Sequence, residues 1–154
     1  IIGKLNVGGM TRTEAEEFIK FKIYPQYVKK LILNGANLTA KGVKSSVQIP
    51  IIFGYWITSL FSLFSKNAKA SQEMLRLMVK EPNVSPDELE QIAVPTLVIA
   101  GKQDMIKENH TKLIAKSIPK SELILIEGDH FIANKESAVF NEKIESFLCK
   151  HAEE

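Results

Sequence analysis

The chemical signal in this sequence rests on Asp104, in Gly101-Lys102-Gln103-Asp104, and His130, in Glu127-Gly128-Asp129-His130-Phe131. A carboxylate in contact with an imidazole fixes its tautomer and stabilises the imidazolium, leaving the far ring nitrogen as an oriented general base. Each residue stands just past a short apolar run. Val94-Pro95-Thr96-Leu97-Val98-Ile99-Ala100 precedes the aspartate, and Glu122-Leu123-Ile124-Leu125-Ile126 precedes the histidine. Runs of Val, Ile and Leu of this length, bounded by Pro and Gly, read as strands buried on both faces.

A helical pattern separates the two runs. A strand–helix–strand unit is right-handed and sets its strands parallel, so their C-terminal ends share one rim. Open α/β sheets hold their ligands at that rim. The expectation is that Asp104 and His130 meet there. The plain alternative is an Asp and a His on unrelated surface loops.

The rest of the chain supplies the elements that would place this pair. Ile1 to Val7 reads as a short strand, broken by Gly8-Gly9. Thr13 and Glu16 have capping-box spacing for a helix that runs to Tyr24 and stops at Pro25. Val28 to Leu33 reads as a strand, with a turn at Asn34-Gly35-Ala36-Asn37. Ser85-Pro86-Asp87-Glu88 starts a short helix, with Ser85 as N-cap and Pro86 at its first position. The helix after Asp104 carries Ile106, His110, Leu113, Ile114 and Ile118 on one side, and His110 reads as a structural histidine at the edge of that face. A last helix, Glu136 to Lys150, aligns Phe140, Ile144, Phe147 and Leu148 to cover the sheet, and His151 falls in a polar tail.

Ser45 to Ser65 carries no charge. Its length approaches that of a membrane span, but Gln48, Pro50, Gly54 and several hydroxyls interrupt it. Thr58, Ser62 and Ser65 fall on one stripe of a helix. The expectation is a helix buried against a partner element, or a lid over an apolar pocket, rather than a transmembrane segment. A second helix, Asn67 to Lys80, follows it with Met74, Leu75, Leu77 and Met78 as core filler.

Composition narrows the classes. The chain of 154 residues is one domain's worth and has a net charge of +2, which gives no basic surface for nucleic acid. Hydrophobic residues make up 45%, enough for a core. The single Cys149 excludes an internal disulfide framework and fits a reducing, cytoplasmic setting. Nothing at the start reads as a signal peptide, and the opening at Ile1 reads as processing or truncation. No metal or cofactor motif is present.

Taken together, Val94 to Asp104, Gly128-Asp129-His130-Phe131, and Tyr24-Pro25 followed by Val28 to Ala36 resemble the C-terminal portion of the α/β-hydrolase family. The resemblance covers roughly residues 10 to 148. It implies an α/β fold: a partial α/β-hydrolase-like parallel sheet flanked by helices, forming one domain. Residues 1–36 and 93–150 would be its core, and residues 37–92 a helical cap inserted between strands. By the same likeness Asp104 would be the acid and His130 the base of a Ser-His-Asp triad, in the family's order of nucleophile, acid, base.

Two departures stand out. The position of the family's G-x-S-x-G elbow falls on Gly9-Met10-Thr11-Arg12-Thr13, with Thr11 in place of serine, or, placed earlier, on Gly3-Lys4-Leu5-Asn6-Val7, with Leu5 in the role and no nucleophile. A β-branched residue tolerates the strained elbow poorly, and helix capping is the plainer role for both threonines. The family's first strands, which supply part of the oxyanion hole, have no counterpart, and losing one such donor costs about 3 kcal/mol. The bare sheet edge near Ile1 to Val7, or the apolar face beside it, would then be covered by a second copy of the chain.

Two functions therefore stand side by side. One is a serine hydrolase, an esterase of a small apolar acyl substrate. The other is a truncated or inactive hydrolase-like domain that binds or has no catalytic role.

Overall fold

A computed structural model describes residues 4–5, 28–62, 64–80 and 82–150. Four strands form one sheet in the order β1 (Lys4–Leu5), β2 (Leu31–Asn34), β3 (Thr96–Gly101) and β4 (Ser121–Ile126), and every neighbouring pair is parallel. Between β2 and β3 lie a 3-10 turn (Ala40–Gly42) and the helices α1 (Ser45–Phe61), α2 (Lys66–Lys80) and α3 (Pro86–Leu89). Helix α4 (Glu108–Ser117) crosses from β3 to β4, and α5 (Ile132–Lys135) and α6 (Ser137–Lys150) end the described chain.

Parallel strands expose both faces to helices, which is why β3 is a continuous apolar run and is buried along its whole length. On one face Leu31, Leu33 and Val98 pack with Leu89, Ile92, Ile114 and Ile118. On the other, Ile32, Leu97, Ile99 and Ile126 pack with Ile132, Phe140 and Phe147. Strand β4 is partly exposed, and its Glu122 pairs with Lys150 at 2.6 Å; a charge on an outer strand deters pairing with other chains. The capping box at α3 forms as expected: the Ser85 hydroxyl accepts from the Asp87 N–H, and Glu88 reaches back to the Ser85 N–H.

Some boundaries moved. Strand β2 starts at Leu31 rather than Val28, and the α4 helix starts at Glu108, because Ile106 first forms a bridge with Val43. The terminal helix divides into α5 and α6. The proposed helix at 13–24, its capping box, Thr11 and His151 lie outside the described residues. Among the described residues no strand pairs with the outer side of β1.

Helix α1 departs most from expectation. None of its residues is buried. Along its hydroxyl stripe Thr58 and Ser62 are half-buried and Ser65 is exposed, and the Thr58 and Ser62 hydroxyls donate to the carbonyls of Gly54 and Ser59, both at 2.8 Å. Hydroxyls satisfied within their own helix need no solvent. Gly54 faces α2, where a Cβ would stand 3.4 Å from Leu75 Cδ1. Its apolar side chains point outward instead, with Phe53 67% and Trp56 69% exposed. Among the described residues no helix is long and apolar enough to cross a membrane.

Candidate active site

Strands β3 and β4 run in register from Thr96 opposite Ser121 to Gly101 opposite Ile126. Their ends are therefore level, and the loops after them start side by side. The Lys102 N–H donates to Ile126 O at 2.8 Å, and the Gln103 N–H to Gly128 O at 2.9 Å. The Gln103 side chain returns the contact, its Oε1 accepting from the Gly128 N–H at 3.0 Å. Gly101 permits this approach: a Cβ there would collide with the backbone carbonyls of Gly128 and Asp129. Gly128 itself has φ of +128°, open to glycine and strained for other residues. Outside the loops, Lys102 pairs with Glu127, which lies below the ordinary carboxylate range chiefly through its hydrogen bond to that lysine.

This braiding brings the two residues singled out in the sequence into contact. His130 Nδ1 lies 2.8 Å from Asp104 Oδ1, with Asp104 2% and His130 8% exposed. The same carboxylate oxygen accepts from the Ile106 N–H at 2.9 Å. An ionised carboxylate only accepts, so Nδ1 carries the proton and Nε2 of the neutral ring keeps its lone pair. That is the tautomer a general base requires. Oδ2 of Asp104 is buried and has no hydrogen-bond partner among the described residues, which raises the value of the contact made through Oδ1.

Neighbours hold the ring. Phe131 meets it edge to face, with centroids 5.7 Å apart, and Lys135 sits over the Phe131 ring. Asp129 accepts from the Phe131 N–H at 2.9 Å and pairs with Lys135, which is the main cause of its lowered pKa. Among the described residues no hydroxyl or thiol is hydrogen-bonded to His130.

Two contributors were not legible as such. Gly35, at the end of β2, lies against the pair, and His110 binds the loop that follows Gly35. The Asn34-Gly35 dipeptide signals a turn, and the structure gives Gly35 φ of +56°, but nothing local tells what the turn touches.

Comparison with known proteins gives the family and the fold. The family model "Serine hydrolase (FSH1)" matches residues 59–141, which is more than half of the chain and includes both Asp104 and His130. Solved structures share the fold at low identity. A meta-cleavage product hydrolase (CumD) from Pseudomonas fluorescens IP01 aligns with TM-score 0.61 and 16% identity, over 87% of this chain and 60% of that one. A putative non-heme bromoperoxidase, BpoC, from Mycobacterium tuberculosis H37Rv gives TM-score 0.65 and 13% identity, over 96% and 65%. An esterase from Thermogutta terrifontis gives 0.58 and 17%, over 88% and 61%. The chain thus spans less than two thirds of the length of these proteins. No curated protein sequence matches it.

Proposed function

Since the chain belongs to the serine hydrolase (FSH1) family and has an α/β-hydrolase fold, we propose that Asp104 and His130 are the acid and base of an ester-hydrolysing site. The observation that carries this reading is the buried 2.8 Å contact between His130 Nδ1 and Asp104 Oδ1 at the C-terminal rim of the sheet. In the proposed reaction Nε2 of His130 takes the proton of a serine-type hydroxyl as its oxygen attacks the ester carbonyl. The imidazolium that forms is held by Asp104 and returns the proton to the departing alkoxide. Water then repeats the sequence on the acyl-enzyme, releasing the acid and restoring the hydroxyl.

The substrate class in this proposal is a small, apolar acyl ester. The uncharged, largely apolar stretch from Ser45 to Ser65, read as a lid over an apolar pocket, favours such a partner over a charged one. The protein in its natural length should hydrolyse p-nitrophenyl butyrate, and Asp104→Asn should lower kcat about 10⁴-fold by losing the correct tautomer. Equal rates in the two proteins would reject the assignment.

A second reading draws on the elbow position, where Thr11 stands in place of serine. It is a non-catalytic domain that keeps the acid–base pair, and it expects no turnover by either protein. The sheet edge at β1, or the apolar face beside it, is proposed to be covered by a second copy of the chain, to be checked by sedimentation.

A further inference from the structure

The loop leaving β2 touches the Asp104–His130 pair at one end and His110 at the other. A Cβ on Gly35 would lie 2.8 Å from His130 Cε1, 2.9 Å from His130 Nδ1 and 3.2 Å from Asp104 Oδ2, so the bare backbone of this residue closes over the pair. Its N–H is tied to Ile99 O at 2.9 Å. Three residues on, the Leu38 N–H donates to His110 Nε2 at 3.0 Å. The chain returns to the same ring at Gly42, where a Cβ would stand 2.5 Å from His110 Cδ2 and 2.6 Å from Nε2. The loop is thus clasped by one imidazole and seated on another.

We infer that His110 is a positioning residue: its bare Nε2 holds Leu38, and with it the loop that keeps Gly35 against the Asp104–His130 pair, so that protonation of His110 loosens the loop and disturbs the pair. An imidazolium has no lone pair to offer, and its Nε2–H would point at another N–H. A nearby charge adds to the effect: from the start of its own helix comes Lys107, whose Nζ donates to Lys41 O at 2.7 Å. From the loop come the neutral Asn37 and Gly42. Among the described residues no carboxylate is bonded to the ring.

Burial first, and Lys107 second, hold His110 below the ordinary histidine range. The sign follows from that direction. The folded state favours the neutral ring, so this contribution is complete above the ordinary value of about 6.5 and is lost as pH falls through the lower folded-state value.

Only the effect on rate rests on the proposed esterase; the coupling between the two rings does not. The test is a pH titration of the ¹⁵N-labelled natural protein by NMR, following both imidazoles and the Leu38 amide. At neutral pH His110 should be the tautomer with Nε2 unprotonated. As it takes up a proton, the protection of the Leu38 amide should fall about five- to tenfold, the worth of one hydrogen bond. The His130 ring signals should show an inflection at the same pH.

In His110→Gln, whose amide oxygen can still accept from Leu38 but does not titrate, both changes should vanish. A Leu38 amide indifferent to the His110 midpoint would overturn the proposal. So would a His130 inflection at the His110 midpoint that survives His110→Gln, or a transition that moves every amide together. The titration of the unaltered protein decides the matter even if the variant does not fold. Ester turnover in the same samples separates the two claims: coupled rings without turnover reject the esterase and leave the clasp standing.

Discussion

The rim of the sheet and the α1 helix are built on opposite terms. At the rim, polar groups are buried and tied from several sides: Asp104 by His130 and Ile106, and the two loops by Gln103 and Gly128. On α1, apolar groups are exposed and the Thr58 and Ser62 hydroxyls are satisfied by carbonyls of their own helix. A buried carboxylate and imidazole are costly unless each finds its partner, so their position is specified by many contacts at once. Apolar side chains on a helix surface have no such demand, and one packed side already suffices to hold the helix. The contrast separates residues whose place is dictated by chemistry from residues whose place depends on what lies against them.

Substitutions can sharpen that contrast. The largest effect belongs to the pair, where Asp104→Asn should reduce kcat by the factor given above while circular dichroism stays unchanged. Next comes the core beneath it. Ile132 is fully buried between the sheet and α6, and Ile132→Ala should cost about 2–5 kcal/mol in urea unfolding. Gly101→Ala should cost about 1–3 kcal/mol by forcing apart the loops that carry Asp104 and His130, with a loss of activity larger than the loss of stability.

The smallest effect is expected on α1. Phe53→Ser should change stability by no more than about 0.5 kcal/mol, as for other surface positions. The same change should lower the sedimentation coefficient if a second copy covers this face. A loss of several kcal/mol with no change in mass would mean that Phe53 is buried within one chain, and the contrast would fail.

The uneven legibility of the sequence has the same origin. Val94 to Phe131 could be read because strand, breaker and polar residue follow one another locally, and parallel geometry then determines which ends meet. Ser85 and Glu88 could be read because a capping box is complete within four positions. The orientation of α1 could not, since its apolar residues lie all round the helix and periodicity then gives no direction. Its hydroxyl stripe gives none either, because a serine or threonine can satisfy itself on the preceding turn. His110 shared a face with Ile114 in the sequence pattern, yet its partner is a backbone N–H 72 residues away, beyond the reach of any local rule.

The central claim is that the Asp104–His130 pair activates a hydroxyl. Its most direct test is labelling of the natural protein by a fluorophosphonate, beside His130→Ala. The account predicts one labelled site in the unaltered protein and none in the variant. A folded protein that takes up no label, or a variant that takes up as much as its parent, would contradict it.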